Sequence, residues 1–346
     1  MVKGFWKKIG NFDGGVLGRP RGRPFFALAP MADVTDAAFR EIIAKYSRHG
    51  KKGGGPDVFW TEFVSADGLA SVKGREKLLV NLKYSENERP IVAQLFGARP
   101  DNMQEAAKIV ADLGFDGIDI NMGCPDRAIE KQGAGAALMK NPKLAREIIR
   151  AAIDGAPNLP VSVKTRIGYN KDEIDSWIPE LIKQDISALT IHARTRKELS
   201  KSPAKWEKVG KVAELIKNSG KEILLIGNGD VRDLNDGIIK AQESGADGVM
   251  IGRAIFGNPW LFDAGKKMED ISIKEKLLVM VEHTKLFEKL LGRKKNFAIM
   301  KKHYKAYASG FDGAKELRIK LMETINGKEV AGIVSDFLKS AKFDIS

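Results

Sequence analysis

Cys124 is the single cysteine in 346 residues, and it lies in Asn121-Met122-Gly123-Cys124-Pro125 at the end of an apolar run that starts at Phe115. A lone thiol is often just a small buried hydrophobe. Here a flexible glycine precedes it and Pro125 fixes the chain behind it, so the sulfur can project from a loop held on a rigid strand. Other hydrophilic groups close comparable runs: Gln94 in Ala93–Gly97, Lys164 and Arg166 in Val163–Arg166, and His192 and Arg194 in Ile191–Arg194. Asn228-Gly229-Asp230 and Gly252-Arg253 follow two further runs and supply close-approach glycines, backbone N–H groups and a guanidinium. Each has a structural alternative: Lys164 as a snorkelling lysine, His192 as a satisfied core histidine, Asp230 as a helix cap, the glycines as tight turns. Gathered at one place they would form a pocket for a phosphorylated cofactor or substrate.

The elements that must gather them repeat from Phe25 to about residue 255. Eight apolar runs predict strands: Phe25–Met31, Val58–Val64, Pro90–Phe96, Gly117–Met122, Pro160–Ile167, Ala188–Ala193, Glu222–Ile226 and Gly248–Ile251. Between them, Asp101–Leu113, Lys143–Ile153, Asp172–Gln184, Trp206–Lys217 and Leu234–Glu243 have helical spacing. Apolar strands alternating with helices predict a parallel sheet covered on both faces, and eight units predict a closed (β/α)8 TIM barrel with its site at the carboxyl ends of the strands. The alternative, a doubly wound open sheet, predicts a Gly-rich fingerprint after the first strand, and Phe25–Ala32 has none.

The rest of the chain is organised around that barrel. Residues 1–24 read as an irregular, glycine-rich lead-in and 25–262 as the barrel; 263–346 read as a small all-α bundle with helices at Lys274–Leu291, Asn296–Ser309, Ala314–Ile325 and Glu329–Ala341. The net charge is +13, and residues 271–346 carry 16 Lys/Arg against 9 Asp/Glu. This asymmetry favours a nucleic-acid partner over generic solubility. The run Arg293–Lys305, with Lys301, Lys302 and Lys305, holds no acid and interleaves Phe297 and Tyr304. A solvated helix face and a phosphate-contacting surface explain it equally well.

Several classes are disfavoured. The four histidines, His49, His192, His283 and His303, are scattered without an H-x-x-x-H pair, so no metal centre is expected. No apolar run approaches the ~20 residues that span a bilayer, and the basic start lacks an apolar signal region. A single cysteine allows no intrachain disulfide, which points to a cytoplasmic protein. A monomer is expected, with no membrane and no obligate protein partner.

In order along the chain, Ala29-Pro30-Met31-Ala32-Asp33-Val34-Thr35-Asp36, Gln94-Leu95-Phe96-Gly97, Asp119–Pro125, Gly133–Met139, Val163–Arg166, Thr190–Arg196, Gly227–Asp230 and Gly252–Trp260 resemble the tRNA-dihydrouridine synthase family, most closely its bacterial B-type branch. The Asn-x-Gly-Cys-Pro element is the most specific part. The resemblance spans about Phe25 to Phe262 and is less sharp in the bundle. It implies a flavoprotein with FMN bound by Pro30, Met31, Ala32, Gln94, Lys164, His192, Asn228, Gly229, Asp230, Gly252 and Arg253. It further implies NADPH (or NADH) as reductant and reduction of the C5–C6 double bond of uridines in tRNA. In that reaction Cys124 would act as general acid toward C5, and Lys164 would favour the anionic reduced cofactor. Asn121, Arg166 and Arg194 would hold the flipped-out uracil while Lys301, Lys302 and Lys305 hold phosphates. The lead-in and the loop Ser47–Gly55 are longer than the family suggests and read as passive insertions.

Two other functions share these residues: an FMN-barrel reductase of a free small molecule, which needs no basic bundle, and a catalytically silent tRNA-binding protein, which needs no Cys124.

Overall fold

The computed structural model describes residues 3–10 and 23–340. Its centre is a parallel sheet of β1 (Phe25–Leu28), β2 (Phe59–Trp60), β3 (Val64–Ser65), β4 (Ile91–Phe96), β5 (Gly117–Met122), β6 (Val161–Arg166), β7 (Ala188–His192), β8 (Leu224–Asn228) and β9 (Gly248–Ile251). The order is β1-β9-β8-β7-β6-β5-β4-β2, with β3 also on β4. A bridge between Ala27 and Val58, with Leu28 N–H donating to Val58 O at 3.2 Å, joins the two ends. The sheet is thereby the expected eight-position barrel. Its strands are buried almost throughout, because helices such as Pro100–Asp112, Pro142–Gly155, Ile174–Ile182, Trp206–Asn218 and Leu234–Ser244 cover the outside.

Two boundaries depart from the sequence pattern for local reasons. The first strand ends at Leu28 rather than Met31, since Pro30 has no N–H to continue the ladder. The run Val58–Val64 divides into β2 and β3. Between them the Thr61 hydroxyl oxygen, not a backbone carbonyl, accepts the Gln94 N–H at 3.1 Å, and the chain at 61–63 leaves the regular ladder.

A stretch expected to be irregular holds a helix, Phe5–Gly10. It carries Trp6 fully buried against Phe25 and Trp60, with ring centroids 5.8 and 5.9 Å away. This indole joins Val92, Leu224, Ile226 and Met250 in the inner core of the barrel. The rest of the expected lead-in, at 11–22, lies outside the described residues. The loop after Tyr46 is tied down: Ser47 Oγ donates to Pro259 O at 2.7 Å and accepts from Phe262 N at 3.1 Å.

Beyond the barrel stand the helices Ile273–Leu291, Lys301–Tyr307, Ala314–Glu323 and Gly327–Ser340. A 3-10 turn at Phe297–Met300 replaces the first turn of the helix expected from Asn296. The bundle packs on the barrel helix Ala37–Tyr46, where Phe39 meets His283 at 4.8 Å and His303 at 4.6 Å. Glu282 accepts from Lys45 and from Tyr46, each at 2.6 Å. Among the described residues, no helix is long and apolar enough to cross a membrane.

His283 and His303 are fully buried, and among the described residues their four ring nitrogens have no hydrogen-bond partner. Burial, followed by His303, holds His283 well below 6.5; burial, followed by Lys302, lowers His303 to about 3. Each takes up a proton near pH 6.5 when unfolded but not when folded. Stability is therefore complete above that pH and falls by about 1.4 kcal/mol per unit per histidine as pH drops below it. Urea unfolding midpoints are expected to fall between pH 6.5 and 5, and His303→Phe is expected to remove about 2 kcal/mol of that fall. An unchanged slope in the variant would contradict this account.

Candidate active site

The carboxyl ends of the strands surround a cavity of about 900 Å³. Of the residues singled out in the sequence, Pro30, Met31, Asn121, Cys124, Lys164, Arg166, His192, Arg194, Asn228, Gly229, Asp230, Gly252 and Arg253 line it. The parallel register explains the gathering: Asn121 pairs with Lys164 at one level, and Arg166 with His192 and His192 with Asn228 two residues further on, so adjacent strands deliver inward side chains to the mouth in two successive layers. Ala32 sits exposed on the turn after β1, and Lys301, Lys302 and Lys305 lie on the bundle helix; none of these four lines the cavity.

Among the described residues, five cationic side chains line this cavity (Arg232 is the one not singled out), against a single carboxylate, Asp230. Desolvation makes the crowding costly. Burial and then Arg166 lower Lys164 to about 8, with Asp119 and Cys124 opposing; its Nζ donates to Asn228 Oδ1 at 3.3 Å. Burial lowers Arg166 to about 10. Burial, then Arg166 and Lys164, hold His192 well below 6.5, so its imidazole is neutral at neutral pH. Arg194 approaches His192 Nε2 at 3.2 Å. A guanidinium only donates, so Nε2 accepts and Nδ1 carries the proton.

Asp230 is the local counter-charge. It accepts from Arg194, from Arg253 at 2.7 Å and from the backbone N–H of Ala204 at 2.9 Å. Partial burial works against its ionised form, but the Arg194 hydrogen bond and that backbone N–H prevail and keep it below the ordinary carboxylate value. Its backbone is left-handed at φ 49°, after Gly229 at φ 126°. A Cβ on Gly229 would stand 2.8 Å from Ala204 Cβ and 3.3 Å from His192 Cδ2.

Cys124 lies half-buried on the loop between β5 and the short helix Arg127–Glu130. Four hydrogen bonds fix that loop. Asn121 Oδ1 accepts the N–H groups of Gly123 at 3.1 Å and Cys124 at 2.9 Å. Arg166 Nε donates to Gly123 O at 2.8 Å. Ala136 N donates to Cys124 O at 3.0 Å. Burial pushes the Cys124 thiol up, against the Asp126 backbone N–H, so the sulfur is protonated at neutral pH. A protonated thiol on a rigid loop can deliver a proton.

Gln94 is fully buried and does not line the cavity. Its Nε2 donates to Asp119 at 2.6 Å and its Oε1 accepts from Asn121 at 2.9 Å, so it orients Asn121 from below. Arg166 likewise spends Nη1 on Thr195 O at 3.2 Å and Leu199 O at 3.3 Å. Its tie to Gly123 makes it a buttress of the cysteine loop. Sequence inspection missed Asp119, which is fully buried, also accepts from Ser162 at 2.7 Å, and is raised by burial to about 6. The available signal was a carboxylate inside a strand run that is otherwise apolar.

Fold and mouth together define a (β/α)8-barrel protein with a cation-lined cleft and a protonated cysteine at its edge. The family profile described as "Dihydrouridine synthase (Dus)" matches residues 27–342, and the chain belongs to that family. It is 38% identical over 339 residues to "Probable tRNA-dihydrouridine synthase 2" of Bacillus subtilis (strain 168), covering 97% of each chain. It is 41% identical to "Probable tRNA-dihydrouridine synthase" of Staphylococcus epidermidis (strain RP62A), covering 91% of this chain and 94% of the relative. Among solved structures, histamine dehydrogenase from Rhizobium sp. 4-9 matches with TM-score 0.50 at 12% identity. That match covers 80% of this chain and 51% of the other, so the chain spans about half the length of that protein and shares its fold.

Gly229→Ala is expected to cost about 1–3 kcal/mol, because the new Cβ meets Ala204 in a left-handed backbone. Chemical denaturation checks this, and a change below about 0.5 kcal/mol would show that the turn can relax.

Proposed function

We propose that this protein is a tRNA-dihydrouridine synthase that uses FMN and NADPH. The observation that carries the proposal is the protonated Cys124 on a buttressed loop at the rim of a cation-lined barrel mouth, in a chain of the dihydrouridine synthase family. The names printed for the bacterial relatives support the same substrate.

The lining fits a flavin mononucleotide in its chemistry. Ala29, Pro30, Met31 and Met250 offer an apolar wall for a planar ring. Arg253 and the glycines at 229 and 252 suit a phosphate, where barrels often hold one after their last two strands. Lys164 and the neutral His192 provide donors for the ring edge. When bound, the reduced cofactor supplies hydride to C6 of a uracil.

The side chains of the chain handle the rest. As negative charge develops on the uracil, Cys124 Sγ–H gives its proton to C5 and is left as thiolate, which solvent reprotonates. The Asn121–Gln94–Asp119 chain and Arg166 keep the loop from drifting during that transfer. Lys164, lowered to about 8, still carries its charge at neutral pH and stabilises the developing anion. The barrel domain, 25–262, thus does the chemistry. The helical domain, 263–346, grips tRNA phosphates through Lys301, Lys302 and Lys305, and the target base must leave the stack to enter the mouth. The chain works as a monomer in the cytoplasm.

Cys124→Ala is expected to retain FMN and to lose at least about 99% of dihydrouridine formation, in the range that loss of a general acid produces. Flavin absorbance and nucleoside analysis of the tRNA check the two halves; unchanged turnover would remove the acid role. Raising salt from 50 to 200 mM is expected to weaken tRNA binding about 20- to 40-fold if three lysines meet phosphates. A flat filter-binding profile would remove the bundle as the grip.

A further inference from the structure

One buried charge pair joins the bundle to the barrel mouth. Lys295 Nζ, from the basic run of the bundle, lies 2.5 Å from Glu62 Oε2, and the two side chains are only 8% and 5% exposed. Glu62 stands in the interruption between β2 and β3. Its other oxygen, Oε1, accepts the backbone N–H of Asp33 at 2.6 Å. Asp33 has φ 53°, a left-handed conformation that a non-glycine residue holds only when its surroundings impose it. It lies inside the turn Met31-Ala32-Asp33-Val34, closed by Val34 N–H donating to Met31 O at 3.1 Å, and Met31 and the preceding Pro30 line the cavity. A second bundle lysine, Lys302, reaches the same residue, with Nζ 3.6 Å from Asp33 Oδ2. Asp36 lies beside the pair; burial and then Glu62 raise it to about 6, with Lys295 among the cations that oppose the rise.

We propose that Lys295 and Glu62 are positioning residues that couple polyanion binding on the bundle to cofactor binding in the barrel mouth. The physical link is short. The Lys295 ammonium holds the Glu62 carboxylate inward, Glu62 holds the Asp33 N–H, and Asp33 sets the turn beside Pro30 and Met31. Lys295 lies in the same run as Lys301 and Lys302, so phosphates ordering that run also order the anchor of the turn. Without its cation the buried Glu62 carboxylate is left uncompensated, and the strained turn is free to relax. Coupling of this kind is reciprocal: tRNA tightens the cofactor by the factor by which the cofactor tightens tRNA. The proposal rests on the assignment of FMN to the mouth and tRNA to the bundle.

The test is FMN affinity by fluorescence quenching, with and without saturating tRNA, in the full-length protein and in Lys295→Met, Lys295→Arg, Glu62→Gln and the Lys295→Met/Glu62→Gln double variant. Wild type is expected to bind FMN about fivefold more tightly with tRNA present. Lys295→Met and Glu62→Gln are each expected to weaken FMN about five- to tenfold and to abolish the tRNA effect. The double variant should be no weaker than the poorer single variant, because both break one link. Lys295→Arg, which keeps the charge, should restore most of the coupling. FMN affinity within twofold of wild type in Lys295→Met, with only the melting temperature lowered, would make the pair a structural fastener and overturn the proposal, as would independent, multiplying effects. Should Lys295→Met fail to fold, Glu62→Gln decides alone, since the amide keeps the size of the carboxylate but loses the charge that ties it to Lys295. A wild-type protein that binds no FMN would instead overturn the functional assignment, and the coupling with it.

Discussion

The site depends on concentrating positive charge where water is scarce. Lys164, Arg166 and Arg194 rise from neighbouring strands into a mouth whose only lining carboxylate among the described residues is Asp230. Charges in such a place must find partners, change protonation or receive a ligand. All three occur or are invited here. Arg166 and Arg194 spend donors on backbone carbonyls and on Asp230, His192 stays neutral and Lys164 drops to about 8. The donor capacity that is left suits an anion.

The same crowding sets the state of the cysteine. Nearby cations favour a thiolate, but desolvation outweighs them and the thiol keeps its proton. A nucleophilic cysteine would need the reverse balance. In the proposed reaction the fixed loop matters for a related reason: a short proton transfer tolerates little wandering, and the Asp119–Gln94–Asn121 chain anchors the backbone N–H of Cys124 to the barrel interior. A buried polar chain is stabilising only when each member is satisfied, and here each amide and carboxylate has a partner.

The barrel was legible because parallel strands covered on both sides read as near-continuous apolar runs, and the hydrophilic residues ending those runs had to meet at one mouth. Less legible was everything decided by partners distant in sequence. A single tryptophan signals the six-residue helix Phe5–Gly10, and its packing surface comes from Phe25 and Trp60. The break at Thr61 arises because one hydroxyl takes over a ladder bond. Arg166 resembles a ligand-binding arginine in any strand ending, and only the fold shows its ties to Gly123, Thr195 and Leu199. Glu62 and Asp119 are lone acids in apolar surroundings, whose meaning depends on Lys295 and Gln94.

Nucleoside mass spectrometry of unmodified tRNA incubated with the protein, FMN and NADPH tests the central claim most directly. The account requires a gain of two hydrogens on a uridine, absent when NADPH is omitted. NADPH oxidation by the flavin-loaded protein with every uridine unchanged would contradict it and make the protein a reductase of some other, smaller substrate.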